Sequence, residues 1–153
     1  MAAGYAVQAT ADIALVAATP KTCINVINAA NGLIRITGLS VSFDGVSATA
    51  EPVTCELCSS TQATAGTPGS SPAPVQVRGA SRTVQGTAGI NYSAEPTVLT
   101  VTHTWLVHPQ SGITIQFPFG REPEQITTAD ALGLRLTAPA TVNMRGWIEF
   151  EEG

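Results

Sequence analysis

The sequence contains few charged side chains. Asp, Glu, Lys and Arg make up 12% of the 153 residues, about half of the roughly 25% that soluble domains usually carry. Uncharged polar and small side chains must therefore cover much of the surface, and such groups cost less free energy to bury against a partner than ions do. This composition favours a protein whose exterior is covered by other subunits.

Positive charge is especially scarce. Lys21 is the only lysine, the arginines stand singly along the chain, and the net charge is −4. A protein that binds nucleic acid normally carries a basic stripe or patch. The sequence therefore predicts no direct contact with DNA or RNA.

Long apolar runs and a basic N-terminal region are also missing. The run from Ile13 to Ala18 is too short for the core of a signal peptide or for a membrane span. Three cysteines, Cys23, Cys55 and Cys58, form an odd set, which without a secretory signal favours buried reduced thiols over disulfides. We therefore expect synthesis in a cytoplasm and no membrane contact.

Helix-favouring residues other than Ala are few, whereas Thr, Val, Ile, Gly and Pro are abundant. Alternating apolar residues between Leu33 and Phe43 indicate a strand, and their change of phase predicts a bulge at Gly38. A second alternation from Val98 to Val107 places Val101, His103, Trp105 and Val107 on one side and the threonines on the other. Asp44-Gly45 has the composition of a tight turn.

Further runs with strand character complete an all-β pattern. With the N-terminal stretch around Tyr5 to Val16, they predict about eight strands in a single-domain antiparallel β-sandwich of jelly-roll type over residues 1–153. These runs are Cys23 to Asn28, Val53 to Ser59, Ile113 to Phe117, Leu132 to Thr137 and Thr141 to Phe150.

The tract from Ser59 to Ala73 consists of small and polar residues with Gly and Pro. It has no large apolar side chain to bury, so we predict a flexible exposed loop inserted in the domain. The residues before Asp12 carry no charged side chain and are predicted to form an N-terminal arm, about residues 1–11, that adds to a sheet edge of a partner.

Cysteine, histidine and glutamate are present, but their spacing in the sequence does not match that of a known kind of active site. Cys55 and Cys58 have the spacing of half a zinc site, but residues three apart on a strand point to opposite faces. His103 and His108 lack the neighbours of a metal centre, and the glutamates Glu149, Glu151 and Glu152 fit a solvated last strand better than a hydrolase pair. No nucleophile elbow or phosphate-binding loop occurs. The sequence predicts no enzyme, no metal and no cofactor.

Four strings in combination resemble a family of small capsid decoration, or cement, proteins of tailed bacteriophages. They are V-S-F-D-G-V-S-A-T-A-E-P-V from Val41 to Val53, His108-Pro-Gln-Ser-Gly112, Pro118-Phe-Gly-Arg-Glu122, and the tail from Arg135 to Glu152. The resemblance spans the chain from about Val41 onward. It implies a β-sandwich, often a homotrimer, that sits on the outer face of the major capsid protein lattice and stabilises the shell of the virion.

Several residues are predicted partner contacts on this interpretation. Arg121 and Glu122 would set the register of rim contacts, and Tyr5 and Tyr92 lie in less regular segments. The alternative function is a virion-surface carbohydrate- or receptor-binding jelly roll, which would expose Trp105 and Trp147 instead of packing them in the core. The full set of contact candidates is Met1, Ala2, Ala3, Gly4, Tyr5, Val7, Gln8, Tyr92, Arg121 and Glu122.

Overall fold

The computed structural model describes residues 2–61 and 65–153, and all regular structure in this part of the chain is β. The strands are β1 (Ala3–Gln8), β2 (Ile13–Leu15), β3 (Lys21–Ile27), β4 (Ile34–Phe43), β5 (Val53–Ser60), β6 (Val75–Arg78), β7 (Thr87–Ile90), β8 (Leu99–Val107), β9 (Gly112–Gln116), β10 (Glu124–Gln125), β11 (Ala131–Thr137) and β12 (Val142–Glu152). Over the described ranges, no helix has the length and apolarity to cross a membrane.

The strands form two antiparallel sheets that pack face to face. One sheet has the order β10-β4-β12-β1-β6, with β2 also paired to β12 and β9 to β4; the other has the order β7-β3-β11-β5-β8. The eight principal strands thus lie as β1-β12-β4-β9 over β3-β11-β5-β8, which is the jelly-roll arrangement. The predicted sandwich is confirmed, and short strands at the margins bring the total to twelve.

The core lies between the two sheets and is filled by alternate residues of the central strands. Tyr5 of β1 and Phe150 of β12 are buried and stack at a tilt, with ring centroids 5.7 Å apart. Leu134 of β11 and Leu39 of β4 are fully buried in the same cluster. This alternation of buried and outward residues is the period of two that the sequence shows.

The change of phase in β4 is a bulge, as predicted. Glu149 lies opposite Gly38 and Phe150 opposite Ile36, so that Thr37 is an extra residue in the ladder between β4 and β12. Ile34, Ile36, Leu39 and Val41 are all buried as a result. The bulge keeps the apolar residues on both sides of the phase change in the core.

A second bulge, which the sequence analysis did not predict, lies in β8. His103 pairs with Leu57 but Val101 pairs with Cys58, so Thr102 is the extra residue, and its hydroxyl donates to the carbonyl of Leu57 at 2.9 Å. The prediction that Val101 shares a face with His103 and Trp105 is therefore wrong. The bulge turns Val101 to the outer face of the sheet, where it is 42% exposed.

The N-terminal segment is not a free arm. Residues 3–8 form β1, which pairs with β12 on one side and with β6 on the other. Ala3, Tyr5 and Val7 are buried in the core. The prediction of an arm over residues 1–11 is wrong because the alternation of these apolar residues lets the chain bury them in its own sheet.

The small-residue tract after β5 is partly fixed to the rest of the chain. Backbone bridges join Thr67 to Ala94 and Ser70 to Ile90, and most of the described residues of the tract are exposed. Residues 62–64 of the predicted loop lie outside the described residues. Ser59 and Ser60 are the last residues of β5, and Ser60 is buried, so the loop begins after them and not at Ser59 as predicted. Its described part is held against the end of β7 and the segment that follows.

Asp44-Gly45 does not form the predicted tight turn. Gly45 lacks the positive φ that such a turn requires, and its amide donates to the carbonyl of Pro109 at 2.8 Å. Asp44 instead accepts hydrogen bonds from the side chain and backbone amides of Asn143. These bonds lower the pKa of Asp44 and tie the β4–β5 connection to the start of β12.

Glu152, the last residue of β12, binds the segment that precedes β7. Its buried carboxylate accepts hydrogen bonds from the backbone amides of Gln85 at 3.0 Å and Gly86 at 2.5 Å.

Glu152→Ala should therefore lower the free energy of unfolding by about 1–3 kcal/mol, because two amides lose their acceptor. Urea denaturation measures this, with Glu151→Ala as control. Glu151 bonds Arg78 at the surface, so its loss should cost at most about 1 kcal/mol; equal effects would contradict the assignment.

Candidate interaction surface

The three thiols are free and buried, as predicted. Burial raises the pKa of Cys55 to about 12 and that of Cys58 to about 11, and it also raises the pKa of Cys23. Thiolates are the reactive and metal-binding form of cysteine. These side chains therefore pack as small apolar groups.

Thiol titration checks this placement. The folded protein at about pH 8, below the raised pKa values of all three thiols, should leave them unmodified by a disulfide reagent such as DTNB over minutes. In denaturant the same protein should titrate all three cysteines. A thiol that reacts rapidly in the folded state would show that its site opens readily to solvent.

His103 is exposed and His108 is half-buried. His103 contacts the hydroxyl of Thr102 at 3.1 Å and meets the ring of Phe117 edge-on. The ring of His108 accepts the amide of Gln110 within its own turn. Among the residues that the structure describes, no group of three or more His, Cys, Asp or Glu side chains could hold a metal ion.

A polar cluster covers the outer face of the five-stranded sheet. Glu95 accepts both the amide and the hydroxyl of Thr22 at 2.6 Å, and Asn25 donates to the hydroxyl of Tyr92 at 3.1 Å. Each bond joins β3 to the segment after β7. The cluster holds the segment after β7 against β3. The sequence analysis did not predict it, because its partners are about 70 residues apart in sequence.

The predicted contact residues divide into buried and accessible groups. Ala3, Gly4, Tyr5, Val7 and Tyr92 are buried within this chain, so their predicted role as partner contacts is wrong: the sheets and the polar cluster already cover their side chains. Ala2 and Glu122 are half-buried, and Gln8 and Arg121 are exposed. Met1 lies outside the described residues.

One long segment combines surface exposure with the absence of charge. From Pro96 to Gly120 the sequence contains no Asp, Glu, Lys or Arg, and this segment, here called the uncharged edge, comprises β8, β9 and their connections. It carries half of the exposed large apolar side chains that the structure describes. These are Val98, Val101, Leu106, Ile113 and Phe119.

Phe119 is the most exposed of these side chains, at 91%. It follows β9 in the sequence, and the connection between β8 and β9 at His108 to Ser111 lies at the opposite end of these strands. Phe119 therefore lies at the same end of the sandwich as Val98, just before β8. Arg121 and Glu122 follow after Gly120, so two charged residues lie close to Phe119 in the sequence. This is the composition of a binding spot with a polar rim.

No family model, curated protein or solved structure matches this chain. Exposed apolar side chains without interspersed charges are the pattern of a surface that contacts protein.

The two tryptophans are half-buried. Trp105 packs against the core between the sheets, and Trp147 alternates with buried Ile148 and so lies on the outer face of the seven-stranded sheet. Neither side chain falls in the exposed class, whereas the carbohydrate-binding alternative predicts that both rings are exposed. Their packing therefore gives no support to the carbohydrate-binding alternative.

A hollow of about 350 Å³ lies at the end of the sandwich where the β4–β5, β8–β9 and β11–β12 connections meet. Val46, Val53 and Val142 contribute apolar walls, and Glu51 is its one charged lining residue. Val46 is itself 91% exposed. The hollow is a second exposed apolar feature, at the end of the sandwich opposite Phe119.

Proposed function

We propose that this chain is a structural protein of a bacteriophage head that binds the outer surface of the major capsid protein lattice and stabilises it. The uncharged edge, with Phe119 exposed at one end, is the observation that carries the proposal, because it supplies apolar contact area without ions that must be dehydrated. The four sequence strings that resemble decoration proteins support the same assignment.

The contact with the lattice is assigned to the end of the sandwich that carries Phe119. Val98 and Phe119 would supply the buried apolar centre, and Arg121 and Glu122 would supply rim contacts that fix orientation. β1 does not reach out to the lattice as a free arm, because it is an internal strand of the sheet.

The effect on the shell would be mechanical. A decoration protein seated where capsid subunits meet adds interface across joints that the pressure of packaged DNA pulls apart. If each copy buries on the order of 1,000 Å², the contacts summed over many sites stabilise the shell without a tight individual contact. The homotrimer that the resemblance implies would multiply the contacts of each bound particle.

Binding to empty capsid shells that lack the protein tests this function. We expect saturable binding with a fixed stoichiometry and a higher melting temperature of the shell, because ligand binding to the assembled state stabilises it. Shells that neither retain the protein nor melt at a higher temperature would overturn the proposal.

A further inference from the structure

The outer strands of the two sheets differ in how they are protected against pairing with another chain. In the seven-stranded sheet, β6 is four residues long and ends at Arg78, which pairs with Glu151, and β10 has two residues, one of them Glu124. The third outer strand, β9, is uncharged and pairs with β4 alone, but it has only five residues. In the five-stranded sheet, the free side of β7 is bridged by Ser70. Short length, charge and covering segments are the usual protections of a sheet edge.

Strand β8 has little of this protection. It is nine residues long, has no charged residue and no Pro, and pairs with β5 on one side alone among the described strands. The bulge at Thr102 is its one irregularity, and from His103 to Val107 the strand is regular and pairs residue by residue with Val53–Leu57. The backbone N–H and C=O groups on the outer side of His103–Val107 can therefore pair with another strand.

We propose that β8 is a self-association edge, where two copies of this chain pair their His103–Val107 segments antiparallel about a two-fold axis. Centred on Trp105, this register places Thr104 opposite the partner's Leu106 and His103 opposite the partner's Val107. The two five-stranded sheets become one continuous sheet. The inference goes beyond the proposed function and does not depend on it.

Charge favours a second copy as the occupant. Each copy has a net charge of −4, so two copies repel each other least where they meet through surfaces without ions. The uncharged edge is such a surface on both partners, and pairing through it buries no charged group. Trp105 faces the partner's Trp105, and the other opposed side chains are Thr with Leu and His with Val, so no like charges face each other across the ladder.

Sedimentation velocity of the purified chain tests the pairing. We expect a species of twice the 15.7 kDa of one chain within a range that reaches about 100 μM, which detects dissociation constants in the micromolar range. Leu106→Lys should raise the dissociation constant at least tenfold, because it sets a lysine from each copy into the new ladder. Leu106 is 65% exposed, so the fold should tolerate the change, and thermal unfolding verifies this.

Val77→Lys is the matched control, since Val77 is 49% exposed on the opposite edge strand β6. It should leave the dimer unchanged. A monomer at every concentration, a trimer that Leu106→Lys does not affect, or an equal loss from both substitutions would overturn the proposal. A trimer of this kind would agree instead with the assembly that the resemblance implies.

Discussion

Deletion of residues 1–8 is expected to prevent folding. The deletion removes β1, which bonds both β12 and β6, and it opens the core where Tyr5 and Val7 are buried. Burial of those two side chains contributes about 3–6 kcal/mol, which is comparable with the entire net stability of about 5–15 kcal/mol that a domain has. We expect the truncated chain to lack a cooperative thermal transition measured by circular dichroism.

Two point variants separate the loss of the strand from the loss of single contacts. Tyr5→Phe removes the hydrogen bond from the phenol to the carbonyl of Arg82 and should cost about 1 kcal/mol. Gln8→Ala changes an exposed side chain and should stay within about 0.5 kcal/mol. A truncated protein that melts like the full chain would show that β1 is dispensable, as a free arm would be.

Leu134→Ala should lower the free energy of unfolding by about 2–5 kcal/mol. Leu134 is fully buried in β11, which is bonded on both sides by β3 and β5, so neighbouring strands have little freedom to collapse into the cavity. Chemical denaturation with a constant m-value measures the change.

The matched control is the same substitution at the surface. Leu106→Ala removes a side chain that is 65% exposed in β8 and should change the stability by no more than about 0.5 kcal/mol in the monomer. If Leu134→Ala cost no more than Leu106→Ala, the assignment of β11 to the centre of the core would be contradicted.

The sequence was sufficient for the class of fold because the signal repeats in nearly every strand. In β4 the phase change between Ile36 and Leu39 even located the bulge beside Gly38, since only one side of the strand can face the core. The thiols were predictable for a related reason. Cysteines without a secretory context are usually buried.

Two of the errors have local causes and one has a long-range cause. In β1 the apolar alternation of Ala3, Tyr5 and Val7 is short. Because the segment also lacks charge, it was predicted to contact a partner and not to lie in the core. In β8 the bulge at Thr102 has no Gly or Pro to mark it, because its hydroxyl bond to Leu57 stabilises the extra residue. The position of Tyr92 depends on Asn25, far away in sequence, and local patterns contain no information about such a contact.

The uncharged edge could be predicted only in part from the sequence. The stretch without charge from Pro96 to Gly120 can be found by inspection, but its meaning depends on exposure. If this segment were buried, the same lack of charge would indicate two strands of the core. The structure places β8 and β9 at the margins of their sheets, and this turns an uncharged segment into an uncharged edge.

Comparison of Phe119→Ala with Val46→Ala in binding to empty capsid shells tests the central claim most directly. Both side chains are apolar and 91% exposed, but they lie at opposite ends of the sandwich. If the Phe119 end contacts the lattice, Phe119→Ala should weaken binding by about 2 kcal/mol, or roughly thirtyfold, while Val46→Ala binds like the unmodified protein. Equal binding by both variants, or a loss confined to Val46→Ala, would contradict the account.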